Sequence, residues 1–129
     1  MTLSLCVLPE RLAVCRLPPD RSPPVPPSHT CFWSVTRTED ELTIVLPQEA
    51  ALTNWKAEKD WRCFKVVGPL DFGLTGILAS LATSLAEAGI PIFAISTYDT
   101  DYILVKEENL ERAAQTLQDG GHTVVGAPS

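Results

Sequence analysis

The sequence is poor in positive charge. Ten Lys and Arg stand against 16 Asp and Glu, for a formal net charge of −6, and no stretch gathers the basic residues together. Nucleic-acid binders draw affinity from cations that displace phosphate counterions, so no nucleic-acid partner is expected. Long apolar runs are missing as well. The longest near the start is "LSLCVL" from Leu3, far short of the ~20 residues that span a bilayer. It has no basic lead-in and no small-residue cleavage site. The expectation is a soluble, cytoplasmic chain with no membrane partner.

Signatures of catalysis and metal binding are also absent. There is no Gly-x-x-x-x-Gly-Lys phosphate loop and no Cys-x-x-Cys pair, which removes the usual nucleotide and zinc patterns. Of the two His residues, His29 lies beside a Pro-rich stretch and His122 opens a late apolar run, so neither has an evident nucleophile partner. The chain is read as non-enzymatic, with no metal and no cofactor. Cys6, Cys15, Cys31 and Cys63 sit in strand-like apolar context and are read as reduced core thiols. Trp33, Trp55 and Trp61 are read as core or interface anchors.

What is present fits a compact protein. At 129 residues and 45% hydrophobic content, the chain forms one domain or two small interlocked ones. Short strands are expected at "LSLCVL" (3–8) and "LAVCRL" (12–17), followed by a stiff loop "PPDRSPPVPP" (18–27) that contains a Pro-x-x-Pro spacing. "CFWSVTR" (31–37) and "LTIVLP" (42–47) read as a hairpin. The charged "NWKAEKDW" (54–61) reads as a seam. The division expected is an N-terminal unit over 1–58, mostly strands, and a C-terminal unit over 59–129.

From residue 61 onward the pattern sharpens. "WRCFKVVG" is a strand and "PLDFGLTG" a glycine-containing turn. Apolar residues at 74, 77, 78, 81 and 85 form the stripe of an amphipathic helix. Gly89 is placed to cap it and Pro91 to block its continuation. "PIFAIST" and "YILVKE" are strands around an acidic tip, "EENLERAAQTLQDGG" is a second helix, and "HTVVG" a last strand. The order β-α-β-β-α-β is that of a ferredoxin-like α+β sandwich.

This order, together with "CFWSVTRTEDELTIVLP", "WRCFKVVGPLDFGLTGILASLATSLAEAGI" and "ISTYDTDYILVKEENLERA", resembles the ACT-domain proteins that regulate amino-acid metabolism. The likeness is strongest to small bacterial proteins of two ACT-like units, and extends to the ACT units of aspartate kinases and of cytosolic arginine sensors. It implies a regulatory module with a small amino-acid ligand held between ACT units packed side by side, in a homodimer, and read by a partner protein. It implies three walls for the site: Asp71, Phe72, Gly73, Leu74, Thr75 and Gly76 before the first helix; Pro91 and Ile92 after it; and Thr97, Tyr98, Asp99 and Asp101 at the acidic tip. The arginine sensors have an acidic residue at the position of Leu74, so the apolar residue here implies a ligand with an uncharged side chain.

Those residue types suit a zwitterion. A helix start offers free N–H groups and a positive dipole end to a carboxylate. Gly73 and Gly76 let backbone approach closely, and Asp101 offers charge-assisted acceptors to an ammonium. Turn chemistry alone also accounts for Asp and Thr at a tip, and the alternative is a ligand-free interaction module with the same fold.

Overall fold

A computed structural model describes residues 2–68 and 75–126. In chain order its elements are β1 (Ser4–Val7), β2 (Leu12–Leu17), β3 (Ser34–Arg37), β4 (Leu42–Pro47), a 3-10 turn (Gln48–Ala50), β5 (Lys56–Val66), α1 (Ile77–Glu87), β6 (Phe93–Ser96), β7 (Asp101–Lys106), a second 3-10 turn (Glu107–Asn109), α2 (Leu110–Asp119) and β8 (Thr123–Val125). The chain forms two compact units: Glu10–Trp61, and Met1–Pro9 together with Arg62–Ser129. β5 gives its residues up to Trp61 to one and those from Arg62 to the other.

In the Glu10–Trp61 unit the strand order is β3-β4-β2-β5. β2 and β4 pair antiparallel from Leu12↔Pro47 to Leu17↔Leu42. Alternation sends Ala13, Cys15 and Leu17 of β2 and Leu42, Ile44 and Leu46 of β4 into one core, with Trp33 and Trp55 packed against it. The β3–β4 tip is closed by Thr38, whose N–H donates to the Glu41 carbonyl at 2.9 Å and whose Oγ1 accepts the N–H groups of Asp40 and Glu41 at 3.1 Å each. The stretch expected to be a seam is strand from Lys56, because its backbone pairs with β2 whatever its charge. Between Leu12↔Trp61 and Val14↔Glu58 the register slips, and Asp60 there has φ +65°, a β-bulge. Gln48 holds it: Asp60 N–H donates to Gln48 Oε1 at 2.8 Å, and Gln48 Nε2 donates to Asp60 Oδ1 at 3.3 Å.

The other unit realises the expected order as β5-α1-β6-β7-α2-β8, the ferredoxin-like α+β arrangement. One strand is added to it. β1 runs antiparallel to β5 (Leu5↔Val66, Val7↔Phe64) and parallel to β8 (Leu5↔Val124), so the order across the sheet is β6-β7-β5-β1-β8. The first segment, expected within 1–58, thus finds one ladder partner in mid-chain and the other near the far end.

Leu5, Val7, Phe64, Val66, Ile103 and Val105 of this sheet pack with Ile77, Leu81 and Leu85 of α1 and with Leu110, Ala113, Ala114 and Leu117 of α2. Each helix ends alike. Gly89 has φ +74°, which glycine adopts without steric cost. Its N–H donates to Ala86 O and that of Ile90 to Leu85 O, both at 2.9 Å, the paired bonds of a Schellman cap. Gly121 and His122 repeat them on Gln118 O and Leu117 O at 2.9 and 3.1 Å. Arg112 then donates from Nη1 to Ala88 O at 2.7 Å, a cation at the negative end of α1. His122 accepts the Leu3 N–H on Nδ1 at 3.1 Å, which anchors the approach to β1.

The thiols divide. Cys15 and Cys63 are buried, Cys6 is half-buried and Cys31 is exposed, so Cys31 is not the core thiol its sequence context led us to expect. It lies before β3 begins, and its N–H donates to Glu10 Oε1 at 3.0 Å. Burial, with a smaller contribution from Cys6, pushes the Cys63 thiol up to about 12.

Candidate functional site

The acidic tip is built from its own threonines. β6 and β7 pair from Phe93↔Leu104 to Ser96↔Asp101, leaving Thr97 to Thr100 to turn the chain. Neither Tyr98 nor Asp99 has a positive φ, so the primed two-residue turns that favour Asn-Gly do not apply. Thr97 supplies the closure: its N–H donates to the Thr100 carbonyl at 2.8 Å, and its Oγ1 meets the Thr100 N–H at 3.4 Å. Thr100 is buried, and its hydroxyl donates to the Val66 carbonyl at 2.6 Å. That bond fixes the tip beside the end of β5. Tyr98 is 81% exposed and Asp99 is exposed.

Asp101 opens β7 and is half-buried. Side chains two apart on a strand share a face, and Ile103 and Val105 lie in the core that contains α1. Asp101 is therefore on the helix-bearing face. Its Oδ1 accepts the Ser96 hydroxyl at 2.6 Å.

The start of α1 is the second component. Gly76 is its N-cap, left-handed at φ +79° and exposed, with no side-chain cap. The first helical bond is Ser80 N–H to Gly76 O at 2.9 Å. The first turn holds no acidic residue, so the positive dipole end is not neutralised from within it.

Thr97, Tyr98, Asp99 and Asp101 come together at the tip, beside the end of β5 from which the chain leads to Thr75 and Gly76. Pro91 and Ile92 stand elsewhere. They precede Phe93, whose partner is Leu104, at the far end of β6 from the tip, about 13 Å away at the rise of a strand. Ile92 packs against the core. Asp71, Phe72, Gly73 and Leu74 lie outside the described residues. Sequence reasoning missed Ser96 and Thr100. Pairing inward from the Thr97–Thr100 turn would have set Ser96 opposite Asp101.

Among the described residues no group of three or more His, Cys, Asp or Glu could hold a metal ion, and no helix is long and apolar enough to cross a membrane.

The β-α-β-β-α-β order is that of ferredoxin-like folds, and comparison with known proteins narrows it to a family. The family model described as the ACT domain matches residues 56–119, and a second model, described as an N-terminal domain, matches 10–51. The chain belongs to the ACT-domain family. It is 34% identical over 101 residues to the human protein named cytosolic arginine sensor for mTORC1 subunit 1, covering 71% of this chain and 30% of that protein. The chain thus spans less than a third of the length of that relative.

Among solved structures, protein Atu0741 of Agrobacterium tumefaciens is 34% identical, with a TM-score of 0.89 over 97% of this chain and 93% of that one. The aspartate kinase of Synechocystis shares the fold at 16% identity, with a TM-score of 0.65 over 96% of this chain and 28% of the enzyme.

Proposed function

We propose that the protein is a non-enzymatic regulatory module of the cytoplasm that binds a small amino acid with an uncharged side chain. The observation that carries this reading is the position of Asp101: a half-buried carboxylate on the helix-bearing face, at the strand end from which the chain runs to the uncapped start of α1. The helix start suits the ligand carboxylate and Asp101 its ammonium, so the two opposite charges of one zwitterion meet complementary groups.

The relatives support a regulatory role. One is named for sensing arginine, and the aspartate kinase supplies the fold. Thr75, Gly76, Thr97, Tyr98, Asp99 and Asp101, with residues 71–74 before them, are the ligand contacts in this reading, while Pro91 and Ile92, at the other end of β6, are not part of it. A homodimer sets equivalent units side by side and completes two symmetric sites. Ligand then favours one packing of the units over another, and a partner protein reads the difference.

Titration calorimetry of the purified protein against glycine, alanine, serine, threonine, valine, leucine and arginine tests the reading. The expected result is binding of at least one uncharged member at millimolar concentration or tighter, lost in Asp101→Ala. No binding by any member overturns it and leaves the ligand-free interaction module.

A further inference from the structure

The hydroxyl on Asp101 has a consequence for ligand chemistry. Ser96 ends β6, pairs with only one neighbouring strand, and is exposed. Register places it directly opposite Asp101, and its Oγ donates to Asp101 Oδ1 at 2.6 Å. A serine hydroxyl has one proton and two lone pairs. With the proton on Asp101, Ser96 turns only lone pairs outward, and among the described residues one carboxylate oxygen is held while Oδ2 is left for another donor.

We infer that Ser96 is a positioning residue for the amino-acid site: it fixes the Asp101 carboxylate and makes the pair a donor-free cradle for a primary ammonium. The inference rests on the ligand-binding reading above and deepens it by naming the group the ligand must carry. A free ammonium has three N–H donors, enough to meet Asp101 Oδ2 and the Ser96 lone pairs together. An N-acetyl group has one N–H and no charge, and meets the pair poorly. A trimethylammonium has none.

The alternation of the strands supports the assignment. Ser96 and Asp101 form a facing pair, so they share the face that carries Ile103 and the helices. Ser96 adds no bulk to the core, and its loss leaves no buried donor or acceptor without a partner, because both side chains reach solvent. A merely structural role would therefore show in stability and not in the discrimination between amines.

The test uses the full chain and the uncharged amino acid that binds most tightly in the calorimetric panel, beside its N-acetyl and N,N,N-trimethyl derivatives. Ser96→Ala should weaken binding of the free amino acid by about tenfold, the worth of one charge-assisted hydrogen bond, with the thermal midpoint unchanged. Ser96→Thr, which keeps the hydroxyl, should restore affinity to within about threefold of the original, since only the bond geometry differs. Both derivatives should fail to bind the unaltered protein.

Equal affinity in Ser96→Ala and the unaltered protein overturns the role of Ser96 while leaving the amino-acid reading standing. Tight binding of the trimethyl derivative overturns the ammonium cradle. Absence of binding by the unaltered protein overturns this inference and the amino-acid reading together.

Discussion

Thr100 ties the hairpin tip to the end of a different strand: its hydroxyl donates to the Val66 carbonyl across 2.6 Å, and the residue is 4% exposed. Tip and strand end are thereby one rigid element, and Asp101 inherits its position from its neighbour. Thr38 closes the β3–β4 tip with its own side chain, as Thr97 closes this one. The two hairpins share a solution in which a hydroxyl does the work that glycine does in primed turns.

Thr100→Val keeps the shape and removes the donor. It removes the hydroxyl's bond to the Val66 carbonyl, which costs about 0.5–1.5 kcal/mol. Urea unfolding should show a midpoint lowered accordingly, and Thr100→Ser should recover most of the loss. A Val variant as stable as the parent would mean that the bond contributes nothing.

Asp60 sits at φ +65° in the bulge of β5, where a β-branched side chain is strained. Asp60→Val is expected to lose roughly 1–2 kcal/mol. Asp60→Gly relieves the strain and keeps the N–H bond to Gln48 Oε1, so its stability should stay within about 1 kcal/mol of the parent or exceed it. Guanidinium titration of the two variants side by side reads the difference.

Cys63 gives the molecule an alkaline limit. Its thiol rises from the ordinary 9.0 to about 12 on folding. The native state therefore keeps a proton that the unfolded chain releases. The associated stability is complete below about pH 9 and is lost as pH rises toward about 12. Across that window stability should fall by up to ~1.4 kcal/mol per pH unit from this group. Cys63→Ala should show a slope shallower by about one proton, measured as unfolding free energy against pH. Identical slopes would show that the thiol titrates alike in both states.

Glycine at position 89 should not be replaceable without cost. Its Cβ would meet open space, with nothing within 4 Å, so crowding plays no part. The left-handed backbone alone sets the penalty for Gly89→Ala, about 1 kcal/mol, readable as a lowered thermal midpoint.

The sequence announced most of the C-terminal unit because its signals are local. The 3.6-residue stripe through Ile77, Leu81 and Leu85 and the glycines at 89 and 121 fix the helices and their ends. The charged run from Lys56 hid a strand, because its pairing with β2 is a backbone matter that composition does not report. β1 was legible as a strand but not as a member of the C-terminal unit, since no local pattern reveals a partner at Val124. Asp101 stood out by its charge. Ser96 did not, as an exposed serine at a strand end gains meaning only from the residue opposite it.

The parallel ladder between β1 and β8 sets an order of events during synthesis. The ribosome delivers Ser4–Val7 first, yet one of their neighbours, Thr123–Val125, emerges more than a hundred residues later. The stretch Glu10–Trp61 carries its own core and can close while translation proceeds. The leading strand has to wait on one side with an open edge, exposed to stray pairing until the last strand arrives.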